Sequence, residues 1–349
     1  MVALDAMGGD KAPTVNVLGA INAAKKGIEV GLFGDQAVLE PLLDRHNPQW
    51  RKLPLSIIHC TQTIAMTDEP ARAVVKKKDA SLIRAIEAVV HGCADAIVSA
   101  GHSGAALVAG TLLSRRVQGV MRPAIGTFLP TKNGQLFCID IGANTDCKPE
   151  YFEQFALMGH LYVRTVKGIN KPRIALLSNG QEPYKGSMAV KSAYALLEKN
   201  SQIDFVGSLQ ARDIFDDTAD VLVCDGFAGN VLLKTAQGMA GAIAYWLKQE
   251  ADRSILKKIM GLCSKPLFNA LKRKTDYART GGALLLGINH PVIIAHGHSD
   301  ELAIERAIVY AHEVAQTKFL DSFNHELTSL IGSGTLPAPN HPSQDLLTV

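Results

Sequence analysis

At four places in this chain an apolar, strand-like run stops abruptly at glycine and small polar residues. The runs are ALDAMGGD (Ala3 to Asp10), AIVSAGHSGA (Ala96 to Ala105), FCIDIGANTD (Phe137 to Asp146) and VLVCDGFAGN (Val221 to Asn230). Strand, glycine turn and helix recurring in this order mark an open, mainly parallel sheet flanked by helices. In such a sheet the turns leave at the carboxyl ends of the strands, where ligands bind. The expectation is that all four turns share one crevice at one edge.

The sequence between these runs alternates in the same way. After Pro13, Val15, Val17, Leu18, Ile21 and Ala24 give a helix one apolar face until Gly27. A strand (Ile28 to Phe33), a helix after Asp35, a strand around Leu55 to His59 and a helical region from Asp68 to His91 follow. Further helices are expected over Gly104 to Arg115, Pro149 to Lys167, Met188 to Lys199 and Ser299 to about Phe319. The turn Pro130 to Gly134 joins two strands too closely for a crossover, so an antiparallel element is expected within a mainly parallel α/β sheet. From Gly229 the residues Val231, Leu232, Thr235, Met239, Ile243 and Trp246 mark one long amphipathic helix, leading to a helical protrusion over about 229–275. One α/β unit is expected over 1–331. Residues 332–349, rich in Pro, Ser and Gly, are expected to be a disordered tail.

With 36 Lys and Arg against 33 Asp and Glu, the charge excess is too small for a nucleic-acid binder unless it is concentrated in one place. The six cysteines form no CxxC pair and have no histidine at zinc-finger spacing, so they read as reduced and mostly buried. With no secretory pattern after Met1 and no run near the roughly 20 apolar residues of a spanning helix, a cytoplasmic location is expected.

Several catalytic signatures fail on spacing. Neither Ala6-Met7-Gly8-Gly9-Asp10 nor Gly101-His102-Ser103-Gly104 fits the dinucleotide GxGxxG. The segment Gly180 to Ser187 holds P-loop residues in the wrong order. A nucleophile elbow at Ser103 needs glycine where Ala105 stands. His296-Gly297-His298 lacks the HExxH helix and reads as hydrogen-bonded structure. No cofactor and no metal are expected. What remains is a crevice lined by Gly8, Gly9, Asp10, Gly101, His102, Ser103, Gly104, Asn144, Gly226, Gly229 and Asn230. Backbone N–H groups at such turns suit a small tetrahedral anion such as phosphate, with Lys185 on another strand-end loop as added positive charge. Taken singly, each glycine also serves a tight turn.

Together ALDAMGGD, SAGHSGA, DIGAN, CDGFAGN with its following Leu-Leu-Lys, GGALLLG and PVIIAHG resemble the PlsX family of phosphate acyltransferases, over about Val2 to Phe319. The resemblance implies a three-layer α/β/α sandwich, similar to phosphotransacetylases and to isocitrate and isopropylmalate dehydrogenases. It also implies transfer of a long-chain fatty acyl group from acyl carrier protein to inorganic phosphate. The acyl phosphate would pass to a membrane glycerol-3-phosphate acyltransferase for phospholipid synthesis. A homodimer with its active site near the interface, peripherally bound to the inner face of the cell membrane, is part of the same expectation. Two departures stand out: the loop Ser178-Asn179-Gly180-Gln181-Glu182 before Lys185-Gly186, and Asn289-His290 before Pro291.

For this chemistry Gly8, Gly9, Ser103 and Gly104 are the expected phosphate cradle, since positioning a weak nucleophile supplies much of the rate. Lys185 and Asn230 are the expected donors to the oxyanion of the tetrahedral intermediate. His102 fits either a general acid or a turn organiser, and Asp10, Asp140, Asn144 and Asp225 either ligand contacts or turn-bonding groups. A thiolate leaves readily, so no cysteine nucleophile is needed. Between Ser254 and Lys274 apolar residues (Ile255, Leu256, Ile259, Leu267, Phe268) alternate with basic ones such as Lys257 and Lys258. Such a segment suits an anionic membrane, a partner subunit with a solvated lysine rim, or the acidic carrier protein. The rival readings are a short-chain phosphotransacetylase and a non-catalytic carrier-protein scaffold.

Overall fold

The computed structural model describes residues 1–253, 281–317 and 319–333. Its eleven strands are β1 (Val2–Asp5), β2 (Val30–Gly34), β3 (Leu55–His59), β4 (Ala96–Ser99), β5 (Ala124–Pro130), β6 (Gln135–Ile139), β7 (Arg173–Leu177), β8 (Asp204–Leu209), β9 (Val221–Val223), β10 (Ala283–Leu286) and β11 (Val292–Ile294). They form one sheet in the order β3-β2-β1-β4-β11-β10-β5-β6-β9-β7-β8.

β3, β2, β1, β4 and β11 run parallel to one another, and so do β6, β9, β7 and β8. Between the two blocks every pairing, β11 with β10, β10 with β5 and β5 with β6, is antiparallel. Three reversals leave the second block pointing opposite to the first. The single carboxyl edge expected from sequence is therefore corrected: turns after β1, β4 and β11 leave one edge, and turns after β6, β9 and β7 leave the other. The hairpin at Pro130 to Gly134 supplies one reversal, and β10 supplies the other two, locally with β11 and at long range with β5.

Helices cover both faces, giving the three layers. On one face lie α1 (Thr14–Lys25), α2 (Gln36–His46), α6 (Pro149–Lys167), α7 (Met188–Lys199), α9 (Glu301–Gln316) and α10 (Phe319–Ser333), packed with Leu4, Phe137 and Ile139. On the other lie α3 (Pro70–Lys76), α4 (Ser81–Val90) and α5 (Ser103–Ala109), packed with Ala3, Ile97 and Leu285. β1, β2, β4 and β10 are buried at every residue, as strands covered on both faces must be, which is why they read as unbroken apolar runs. The long α8 (Gly226–Asp252) lies on the second face through Leu232 and Leu233.

Several local expectations are revised. The helical region 68–91 divides into α3 and α4, and α5 passes into a π-helical turn at Gly110–Ser114. α10 carries the chain through Gly332 and Ser333, which were expected in the tail. The rest of that tail lies outside the described residues. So does the basic and apolar segment with Ile255, Leu256, Lys257, Lys258, Ile259, Leu267 and Phe268.

Candidate active site: a crevice across the sheet face

At the first edge, side chains buried beneath the glycine turns hold them in place. Asn16 in the first turn of α1 donates to the carbonyls of Ala6 and Gly8, each at 2.9 Å. The Asp5 carboxylate accepts from Ser81 Oγ at 2.6 Å and from Ser99 Oγ at 2.7 Å, and Ser99 Oγ accepts the Gly101 N–H at 3.1 Å. Burial pushes the Asp5 carboxyl above the ordinary carboxylate range, against the pull of its two hydroxyl donors. Gly8 has no room for a side chain: a Cβ would stand 2.5 Å from Asp5 Oδ2 and 2.9 Å from Gly101 Cα. His102 caps α5, its Nδ1 accepting the Ala105 N–H at 3.4 Å, the contact a turn organiser makes. Ser103 opens α5 and is exposed to the crevice.

At the opposite edge the chain leaving β6 folds around the buried Asp140. One carboxylate oxygen accepts the backbone N–H groups of Ile125 (3.2 Å), Gly142 (3.1 Å) and Ala143 (2.9 Å). The other accepts Asn144 N–H at 2.7 Å and Asn144 Nδ2 at 2.9 Å. Asn144 Nδ2 also donates to the Pro123 carbonyl at 2.8 Å. Asp140 and Asn144 thus build the turn, and Asp225 caps α8 by accepting the Ala228 N–H at 2.7 Å. Gly229 lets α8 begin against this turn, since a Cβ there would lie 2.0 Å from the Asp140 carbonyl oxygen.

From that start α8 climbs across the sheet face toward the first edge, where Lys234 Nζ meets His296 Nε2 at 2.6 Å, just past β11. This helix is what joins the two edges. Between it and the first-edge turns lies a cavity of about 450 Å³. Asp10, Gly101 and Ser103 stand at one side, and Asn230, Leu233, Lys234 and Gln237 of α8 at the other. The floor is the sheet itself, through Ile125, Thr127, Ile141, Ala283 and Ile294. Met66, Gly142, Gly282, Ala303 and the segment Ala295 to Asp300 complete the lining. Asp10 is engaged there: its carboxylate pairs with His298 Nδ1 at 2.8 Å, and its N–H donates to the Gly297 carbonyl at 2.9 Å.

Of the expected crevice residues, the structure brings Asp10, Gly101, Ser103 and Asn230 to the lining of one crevice. Gly8, Gly9, His102, Gly104, Asn144 and Gly229 shape the turns around it. Lys185 does not line it; it is exposed on the loop after β7, at the edge Asn230 starts from, with its ammonium 5.8 Å from the centre of the Tyr184 ring. Sequence reasoning missed Lys234, and read His296 and His298 as structure only. The spacing of Lys234 four residues after Asn230 on an expected helix was the available signal. Among the described residues no cysteine lines the cavity, and burial pushes the thiols up, Cys60 to about 11 and Cys147 to about 12. A cysteine acyl-enzyme has no support in this arrangement.

A family model described as "Fatty acid synthesis protein" matches residues 1–322. The phosphate acyltransferase of Geobacillus thermodenitrificans is 44% identical over 329 residues, covering 93% of this chain and 98% of its own. That of Geobacter sulfurreducens is 45% identical over 313 residues, covering 89% and 90%. Among solved structures, the EutD phosphotransacetylase from Staphylococcus aureus superimposes with a TM-score of 0.57 at 15% identity, covering 90% of this chain and 93% of that one. A phosphotransacetylase from Streptococcus pyogenes gives 0.56 at 17% identity, covering 90% and 94%. These two share the fold. With a match along nearly its whole length and close to half its residues identical to theirs, the chain belongs to the phosphate acyltransferase family of fatty acid synthesis proteins.

Proposed function

We propose that this phosphate acyltransferase moves a long-chain fatty acyl group from acyl carrier protein to inorganic phosphate, releasing acyl phosphate for phospholipid synthesis. The observation that carries the reading is the two-sided crevice. One wall presents the exposed Ser103 beside the Gly101 turn, a polar side suited to phosphate, and the floor is an apolar sheet surface suited to an acyl chain. A phosphate oxygen attacks the thioester carbonyl carbon, the carbonyl π pair moves to oxygen, and collapse breaks the C–S bond with its electron pair leaving on sulfur. Ser103 holds the phosphate in line, and Asn230 donates to the developing oxyanion. Lys185, which stands outside this lining, reaches the oxyanion only if its exposed loop after β7 folds toward Asn230.

The protein acts as a homodimer in the cytoplasm, at the inner face of the cell membrane. Support for a partner surface comes from α8, which leaves Met239, Ile243, Tyr245 and Trp246 exposed between 42% and 58%. The deciding experiment is release of carrier-protein thiol from palmitoyl-acyl carrier protein with and without phosphate, with hydroxylamine trapping of the product. Phosphate-dependent release with a trapped acyl group is expected. Reaction with acetyl-CoA alone would move the assignment to short-chain phosphotransacetylase, and binding without turnover to a scaffold.

A further inference from the structure

Lys234 is the one lysine among the described residues lining the crevice, and no described arginine lines it. It stands one helical turn beyond Asn230, so both project from the same face of α8. Its hydrogen-bond partner is an imidazole rather than a carboxylate: Nζ lies 2.6 Å from His296 Nε2. On the other side of that ring, Nδ1 faces the backbone N–H of His298 at 3.2 Å.

Two donors face this ring. An ammonium and a backbone N–H can only donate, whereas a neutral imidazole offers a single lone pair and a protonated one offers none. Burial, reinforced by the Lys234 charge, pushes His296 below the ordinary histidine range and keeps the ring neutral. His296 therefore takes at most one of the three ammonium hydrogens of Lys234. Of the two lining carboxylates, Asp10 is turned to His298 and Asp300 caps α9 by accepting the Ala303 N–H at 2.9 Å. The remaining ammonium hydrogens are open to an anion in the crevice.

We propose that Lys234 is the cation that binds the acceptor phosphate, and that His296 is the positioning residue that steers its ammonium toward the crevice. The proposal rests on phosphate as the acyl acceptor. Phosphate oxygens accept hydrogen bonds without donating competing ones in the dianion's unprotonated positions, so they take the ammonium hydrogens that His296 cannot. One charge-assisted bond remains to fix the ammonium's direction.

The test is a KM split in Lys234→Met, Lys234→Arg, His296→Ala and His296→Gln. Lys234→Met should raise KM for phosphate about 10- to 100-fold, the size of a lost hydrogen bond to a charged group, and Lys234→Arg should recover most of it. KM for the acyl donor should stay within about threefold of wild type. His296→Ala should raise KM for phosphate, and His296→Gln, which keeps an acceptor for the ammonium, should restore it. An unchanged KM for phosphate in folded Lys234→Met, or a parallel rise in both KM values, refutes the proposal. A second measurement needs no variant: sparse acetic anhydride labelling of wild type, read by peptide mass spectrometry, with and without inorganic phosphate. Selective protection of Lys234 is expected, and equal labelling overturns the proposal. If wild type shows no phosphate-dependent acyl transfer, the acyl-acceptor reading falls, while protection of Lys234 would still support a phosphate site there.

Discussion

Gly229→Ala adds one methyl group where α8 begins, and the structure sets how far the helix must move. The new Cβ would stand 2.0 Å from the Asp140 carbonyl oxygen and 2.8 Å from Cys224 Sγ. That carbonyl cannot easily give way, because Asp140 N–H donates to Cys224 O at 3.1 Å and its carboxylate gathers the N–H groups of the turn. Opening the contact to the 3.0 Å below which Cβ contacts essentially do not occur requires about 1 Å of movement by α8. Overpacking of this kind costs about 1–3 kcal/mol, offset by about 0.5–1 kcal/mol of helix propensity. Because Asn230 and Lys234 ride on the same helix, a shift near 1 Å should lower turnover about 100-fold. Gly238→Ala is the control: it lies on α8 with nothing within 4 Å of its Cβ position, and should stabilise by about 0.5–1 kcal/mol at normal activity. Urea unfolding and phosphate-dependent thiol release measure both effects. If Gly229→Ala unfolds within about 0.5 kcal/mol of Gly238→Ala and turns over within threefold of wild type, the close seating of α8 has no role in placing the site.

The exposed Lys185 should be removable without loss of stability, Lys185→Ala staying within about 0.5 kcal/mol of wild type while turnover falls 100- to 1,000-fold; near-normal turnover in the folded variant removes it from the mechanism. Asp5 gives a pH signature. Burial raises its folded pKa above the unfolded value near 3.8, so wild type loses stability as pH rises through that raised value. Asp5→Asn should therefore gain on wild type in urea midpoint as pH rises above the unfolded value, and a gap that shrinks with pH would mean that the Ser81 and Ser99 hydroxyls outweigh burial. Trp246→Glu, at a position 56% exposed on α8, should shift sedimentation from dimer to monomer without unfolding the chain, and an unchanged dimer would place the interface elsewhere.

What could be read from the sequence divides by the range of the forces involved. α6 and α7 fall where the apolar spacing and Pro149 or Ser187 predict them, because those signals are local. The turn at Pro130 to Gly134 likewise gives the β5–β6 hairpin. β10 was missed: Ala283 to Leu286 is too short and too uniformly apolar to show a period, and one of its partners, β5, lies far away in sequence. With it went the reversal of the second block, which no local pattern encodes. The break between α3 and α4 also escaped notice. It is held by Lys77 reaching Thr63 and Asp68, and by Asp79 accepting from Thr61. In the site, glycine turns marked both ends of the crevice, but the face between them, and so Lys234 and His296, depended on the path of α8.

Since the crevice floor is the sheet face, neighbouring residues on β5 answer to different masters. Ile125 and Thr127 face the cavity, while Ala124 and Phe128 belong to the core on the far side. Between them, Gly126 leaves space for the Phe137 ring, which a Cβ there would meet at 2.2 Å. Substrate preference can therefore drift at every second position of the strand while the positions between them stay under the control of folding. The same alternation limits the floor: deepening it is possible only by shortening side chains, because the sheet that forms it cannot retreat without lifting the aromatic layer behind.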